Sequence, residues 1–155
     1  MSRKLTAVAA LVAIAATLAT IAAAAPAAKQ RVSIAVTGGA GSKFALTALT
    51  AGAIKSDTGV ASFCCWTQRF ITRDGQSIEL NNPQMTLTGK RGTIVARNQI
   101  GWIDIPDGWG VFTGTWTVIR GTGAYAGLAG GGRGAGVMSN SSETKATFEG
   151  FLNPK

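Results

Sequence analysis

The segment Phe112-Thr113-Gly114-Thr115-Trp116-Thr117-Val118 places large apolar side chains on one face of an extended chain and threonines on the other. A helix cannot serve this alternation, because its side chains return to one face only every 3.6 residues or so. The pattern recurs in Ala146-Thr147-Phe148-Glu149-Gly150-Phe151-Leu152, in Val32-Ser33-Ile34-Ala35-Val36, in Met85-Thr86-Leu87-Thr88 and in Thr93-Ile94-Val95-Ala96. Each reads as a half-buried antiparallel strand. Between them lie Gly38-Gly39, Asp74-Gly75, Asn81-Asn82-Pro83, Gly89-Lys90-Arg91-Gly92 and Asp107-Gly108, all turn material. No segment after residue 28 carries the pattern of a three-turn helix, so the expected fold is all-β.

Two features select a closed barrel over a two-sheet sandwich. Gly114 and Gly150 each fall on the apolar face of a strand, where a missing side chain lets the sheet bend or lets a ligand approach. About eight strands also fit the length beyond residue 28, and closing such a sheet removes its exposed edges. The expectation is a single antiparallel eight-stranded β-barrel over residues 29–155. The 21 glycines alone would suit a disordered chain, but four tryptophans and six phenylalanines supply the area for a packed core.

The first residues are of another kind. Ser2-Arg3-Lys4 is followed by an alanine-rich apolar run from Leu5 to Ala25, the layout of a secretory signal peptide over residues 1–25. Small residues place its cleavage between about Ala24 and Ala28. An uncleaved anchor is the competing reading, since about 20 apolar residues can span a bilayer. The weak hydrophobicity of alanine and the lack of a basic stop-transfer flank favour removal, leaving a secreted protein with no stable membrane span. Removal would take two cations from a chain of formal charge +8 and leave about +6.

Composition excludes several chemistries. With no histidine and only seven acids, the chain cannot form a Ser-His-Asp or Cys-His group, and a metal cage is poorly supplied. No cofactor or metal is expected. The cations are scattered without a block of five, so the expected partner of the charge is an anionic cell-wall or surface polymer or lipid headgroups, and nucleic acid is not expected.

Two short motifs invite sharper readings. Gly121-Thr122-Gly123-Ala124-Tyr125-Ala126 follows a strand and fits the dinucleotide pattern G-x-G-x-x-A, which requires a helix next. Six glycines between Gly127 and Gly136 forbid that helix, each costing about 1 kcal/mol there relative to alanine. Asp57-Thr58-Gly59 matches the aspartic-protease triplet. A single copy would need a homodimer to supply the second carboxylate, and Lys55-Ser56 precede it where large apolar residues are required. A turn held by Asp57 is the simpler expectation.

Cys64 and Cys65 are adjacent. A vicinal disulfide, two buried thiols and an intermolecular bridge all compete, and the flanking Phe63 and Trp66 favour buried thiols. Asn140-Ser141-Ser142 is an N-glycosylation sequon, relevant only in a eukaryotic host.

The run from Gly114 to Arg133, with its strand, Gly121-Thr122-Gly123 turn, Tyr125 and glycine-rich continuation, resembles the C-terminal part of dirigent and allene oxide cyclase barrels. Glu149-Gly150-Phe151 is similar to the closing strand of small secreted bacterial proteins grouped with them. The resemblance implies an eight-stranded antiparallel barrel with a central apolar cavity. Dirigent proteins use such a cavity to steer radical coupling, and the cyclase uses it to close a ring from an unstable epoxide. No catalytic residue of either carries over to a position here.

Two functions follow as expectations. The first is a secreted, non-catalytic barrel that binds a small apolar or aromatic ligand or a surface polymer, with Trp66, Trp102, Trp109, Trp116, Arg120 and Tyr125 as candidate contacts. The second is a dirigent-like or cyclase-like isomerase. They differ in whether a charged or phenolic side chain converges with another inside the barrel. Parity of the strand carrying Phe112, Trp116 and Val118 points Arg120 inward, and Asp104 and Asp107 lie near the rim. The homodimeric protease is a distant third.

Overall fold

The computed structural model describes residues 28–39 and 41–153. The leader expected over residues 1–25 lies outside the described residues. Ten strands follow in chain order: β1 (Gln30–Gly38), β2 (Lys43–Ala48), β3 (Asp57–Cys64), β4 (Gln68–Arg73), β5 (Gln76–Asn81), β6 (Gln84–Gly89), β7 (Gly92–Ile105), β8 (Trp109–Gly121), β9 (Ala129–Ser139) and β10 (Thr144–Asn153).

Eight of them close an antiparallel barrel in the order β1, β2, β3, β6, β7, β8, β9, β10, with β10 returning to β1. Closure follows the alternation described above. Along β1 Val32, Ile34 and Val36 are buried, along β10 Ala146, Phe148 and Leu152, and the residues between them face solvent or lie at its edge. Phe44 and Leu46 of β2, Ala61 of β3, Met85 and Leu87 of β6, Ile94 and Ala96 of β7, and Phe112 and Trp116 of β8 join them in one continuous core. Gly114 on the inner face of β8 serves closure. A side chain there would collide with the Gln99 carbonyl and Ile100 Cα of β7, so the two strands approach more closely than any other residue permits.

The remaining two strands form a hairpin that leaves the barrel between β3 and β6. Its turn is Asp74-Gly75, both at positive φ (51° and 77°), as a two-residue type I′ turn requires. β7 is long enough to hold both neighbours. Gly92 to Arg97 pair with β6, and Ile100 to Trp102 pair with β5, while β8 pairs with β7 from end to end. The hairpin therefore rises as a flap beside one end of the barrel, its outer strand β4 exposed throughout.

The two barrel ends are built differently. One carries the β1 start, the β6–β7 turn and the segment from Gly121 to Leu128, and it is closed. Tyr125 lies in a single 3₁₀ turn (Gly123–Tyr125) and is buried with Leu128 and Ile54 over the core. That turn is too short to be the helix a dinucleotide site needs. Gln30, also buried, donates from Nε2 to the carbonyls of Thr50 and Ile54 and accepts from the Ile54 N–H at 2.8 Å, drawing the 49–56 loop across the same end. The other end, framed by the β3–β4 link, the hairpin and the β7–β8 and β9–β10 turns, is open.

Candidate functional site

At the open end the chain gathers aromatic and polar side chains around a throat that leads into the core. Trp66 follows β3 directly and stays about half exposed. It is the shared wall of three recesses. One, of about 350 Å³, is lined by Trp66, Glu79, Asn81, Trp102, Asp104 and Asn140, among others. A second, of about 330 Å³, includes Val60, Ser62, Phe63, Trp66, Met138 and Thr144 in its walls. Beneath both lies the throat, a hollow of about 20 Å³ bounded by Phe63, Trp66, Asn98, Ile100, Phe112 and Phe148, with Pro83, Met138 and Thr144 completing it. A wider groove of about 700 Å³ runs along the base of the hairpin, between Arg69, Leu80, Gln99 and Thr113.

The aromatic wall is continuous from rim to core. The Trp102 indole stacks on Phe112, with ring centroids 6.1 Å apart and planes inclined by 11°, and Phe112 in turn meets Phe148 at 6.4 Å. Gly110 makes this stack feasible, since any side chain there would occupy the space of the Trp102 ring. Trp102 Nε1 donates to Asp104 Oδ1 at 2.8 Å, which fixes the indole edge at the rim. Across the recess Glu79 Oε1 accepts from Gln68 Nε2 and from Asn81 Nδ2.

Asn98 lies at the bottom. It belongs to the inward-facing series Ile94, Ala96, Asn98, Ile100 of β7 and is 1% exposed, yet neither its amide nitrogen nor its amide oxygen has a hydrogen-bond partner among the described residues. Its backbone N–H bonds to the Pro83 carbonyl at 2.9 Å. An unpartnered buried amide costs about 1–3 kcal/mol. Placed beside a hollow the size of one water-scale group, it offers a donor and an acceptor to whatever enters.

The closed end holds the contrasting case. Asp57 is buried, and its carboxylate accepts from four donors: the N–H groups of Thr58 (2.9 Å) and Lys90 (3.2 Å) on Oδ1, and that of Arg91 (3.1 Å) and the Tyr125 hydroxyl (2.8 Å) on Oδ2. Burial acts to raise the carboxyl pKa. The hydroxyl of Tyr125 and the three amides together outweigh it and hold the pKa below the ordinary aspartate value. Tyr125 moves the other way, far above the ordinary tyrosine range, through burial first and then the hydrogen bond to Asp57 and its charge. The Asp57-Thr58-Gly59 triplet thus fastens the β6–β7 turn and the Tyr125 plug, and its carboxylate is occupied away from the recesses at the mouth.

The six candidate residues separate accordingly. Trp66 and Trp102 line the mouth together with Asp104. Trp109 opens β8 at the rim, half-buried and opposite Ser139. Trp116 is fully buried, its Nε1 donating to the Glu149 carbonyl, and belongs to the core. Tyr125 is the plug of the closed end. Arg120 departs from its expected inward position. The pairing of β7 with β8 shifts register between Val95 and Ala96, which takes up one extra β8 residue and leaves Arg120 exposed at the closed end. Asp107 sits exposed in the turn Pro106–Gly108 at φ 65°, outside the lining. The cysteines also differ from expectation. Cys64 and Cys65 form a vicinal disulfide across a Cα separation of 3.8 Å, and both are exposed beside Trp66. Cys65 accommodates it at φ 60°, where the chain turns out of β3.

Asn98 escaped the sequence reading because Arg97-Asn98-Gln99 looks like loop sequence when taken as a triplet. Extending the alternation of Ile94 and Ala96 through it to Ile100 and Trp102 would have placed it inside.

Among the described residues no group of three or more histidine, cysteine or acidic side chains is arranged to hold a metal ion, and no helix is long and apolar enough to cross a membrane. No protein-family model, curated protein or solved structure matches the chain. What defines the molecule is its geometry: an antiparallel eight-stranded barrel closed at one end, open at the other, and extended by a hairpin beside the opening.

Proposed function

We propose that the protein is an exported, non-catalytic binding barrel that takes a small neutral ligand with an apolar or aromatic body into the mouth between Trp66 and Trp102. The observation that carries this reading is the unpartnered amide of Asn98 at the base of an otherwise aromatic and aliphatic throat. A ligand whose tip is a carbonyl, hydroxyl or amide would satisfy it, and the rings above would cover the ligand's body. Glu79 and Asp104 at the rim disfavour an anionic ligand. The non-catalytic alternative is preferred to an isomerase because the polar residues of the throat are Asn98 and Thr144, neither of which titrates near neutral pH. Export rests on the apolar leader sequence.

A fluorescence titration with N-phenyl-1-naphthylamine, a neutral aromatic probe with one N–H donor, tests the reading. Enhancement that saturates, and that weakens by about tenfold in Trp66→Ala, is the expected outcome, because a lost aromatic wall removes one to two kcal/mol or so of contact. Failure of the probe to bind, or equal binding by Trp66→Ala and the parent, would remove the mouth as the site.

A further inference from the structure

Charge is distributed unevenly between the two ends of the barrel. Five of the seven acids, Asp74, Glu79, Asp104, Asp107 and Glu143, stand on the hairpin, the end of β7 and the turns at the mouth. Glu149 lies on β10 opposite Arg133, and Asp57, the sole acid at the closed end, is buried with its carboxylate consumed by four donors. The closed end presents Arg31, Lys55, Lys90, Arg91 and Arg120 to solvent, and none of these forms an ion pair with a described residue.

Their grouping is enforced by the backbone. The Asp57 carboxylate holds the backbone of Lys90 and Arg91, and Lys55 lies two residues before Asp57 in the chain. The Ala124 N–H bonds to the Arg91 carbonyl, which brings the end of β8 and Arg120 alongside. The Leu49 N–H bonds to the Arg31 carbonyl, and Phe151 is the β10 partner of Arg31. Three large apolar side chains, Leu49, Ile119 and Phe151, are each close to half exposed in this same zone, next to the cations. A barrel gains nothing from leaving them in water, since the core is already complete without them.

We infer that the closed end is a docking surface for an anionic lipid bilayer. Cations draw the end to the negative surface, and the apolar side chains enter the boundary between headgroups and acyl chains. A hydrated anionic polymer would use the cations and leave Leu49, Ile119 and Phe151 without a function, which is why the lipid surface is the better match. In this orientation the mouth, with its acids, points away from the membrane.

The test is co-sedimentation of the full chain with vesicles of phosphatidylcholine alone and of phosphatidylcholine containing about one-third phosphatidylglycerol. The apolar run at residues 5–25 is common to every variant, so differences among variants report on the barrel. Binding to the anionic vesicles should exceed binding to the neutral ones and fall as salt is raised. Replacing Lys90, Arg91 and Arg120 by glutamine should weaken it by roughly fivefold per residue. These variants keep the backbone N–H groups that Asp57 uses, so the fold is retained. L49S/F151S should also weaken anionic-vesicle binding, while K43Q/K145Q, two cations at the mouth, should leave it unchanged. Binding of the Lys90, Arg91 and Arg120 variants to anionic vesicles equal to that of the parent would overturn the inference, as would an equal loss in K43Q/K145Q, which would mean that net charge alone is at work. Unimpaired vesicle binding by L49S/F151S, together with polyphosphate displacing the protein from anionic vesicles, would assign the surface to a soluble polyanion instead.

Discussion

Each end of this barrel buries a polar side chain, and the two are treated in opposite ways. Asp57 at the closed end is surrounded by four donors, while Asn98 below the mouth has a free donor and a free acceptor. Fully partnered polar groups lock a fold, whereas an unpartnered one is a cost to the fold that a bound water or ligand would offset. The comparison therefore divides the molecule into an end that holds it together and an end that is built to receive.

The largest expected effect comes from breaking the closed end. Asp57→Ala leaves three amides and the Tyr125 hydroxyl without their acceptor, and should lower the unfolding free energy by about 3–5 kcal/mol in a denaturant titration. Probe binding at the mouth should be unchanged at temperatures where the variant is folded. If this variant were as stable as the parent, the closed end would not be what secures the barrel.

The same cluster sets the pH response. Because the folded-state pKa of Asp57 lies below its unfolded value, its contribution is complete above the unfolded pKa, near 4, and is lost as pH falls through the folded value. Tyr125, raised in the folded state, contributes below its unfolded pKa, near 10, and loses that contribution as pH rises beyond it. Thermal unfolding followed from pH 7 downward should show a decline in the parent that is reduced in Asp57→Ala. A parallel decline in both proteins would place the acid sensitivity elsewhere.

Tyr125→Phe keeps the apolar plug and removes one of the four donors. It should cost about 1.5–3 kcal/mol, the range for a hydrogen bond to a charged group. Trp66→Ala should be the mildest for stability, within about 0.5 kcal/mol, because that side chain is half exposed and outside the main core. Its effect belongs to probe affinity alone, and a large loss of stability would show that Trp66 is a core residue and not a wall of the mouth.

Much of the barrel was legible in the sequence. Alternation in the segments that became β1, β6, β8 and β10 gave both the strands and their buried faces, since an antiparallel sheet with one wet face writes its geometry into every second residue. The hairpin β4–β5 was not legible beyond its Asp74-Gly75 turn. Its outer strand buries neither face, so Phe70 and Ile71 carry no alternation to read. Parity alone points Arg120 inward; the register shift inverts that parity, and such a shift leaves no signature in composition. Of the candidate site, the aromatic members Trp66 and Trp102 were visible as residues, but their convergence depends on the register that brings β5, β7 and the β3 exit together. The pairing of Cys64 with Cys65 likewise turned on local backbone, with Cys65 at positive φ.

Asn98→Leu probes both sides of this comparison in one protein, through its stability and its probe affinity together. Leucine removes the unpartnered amide and fills the throat with apolar atoms. The unfolding free energy is expected to rise by about 1–3 kcal/mol while affinity for N-phenyl-1-naphthylamine falls by about tenfold. Lower stability with unchanged affinity would mean that Asn98 is a structural residue, and that the mouth of the barrel owes nothing to it.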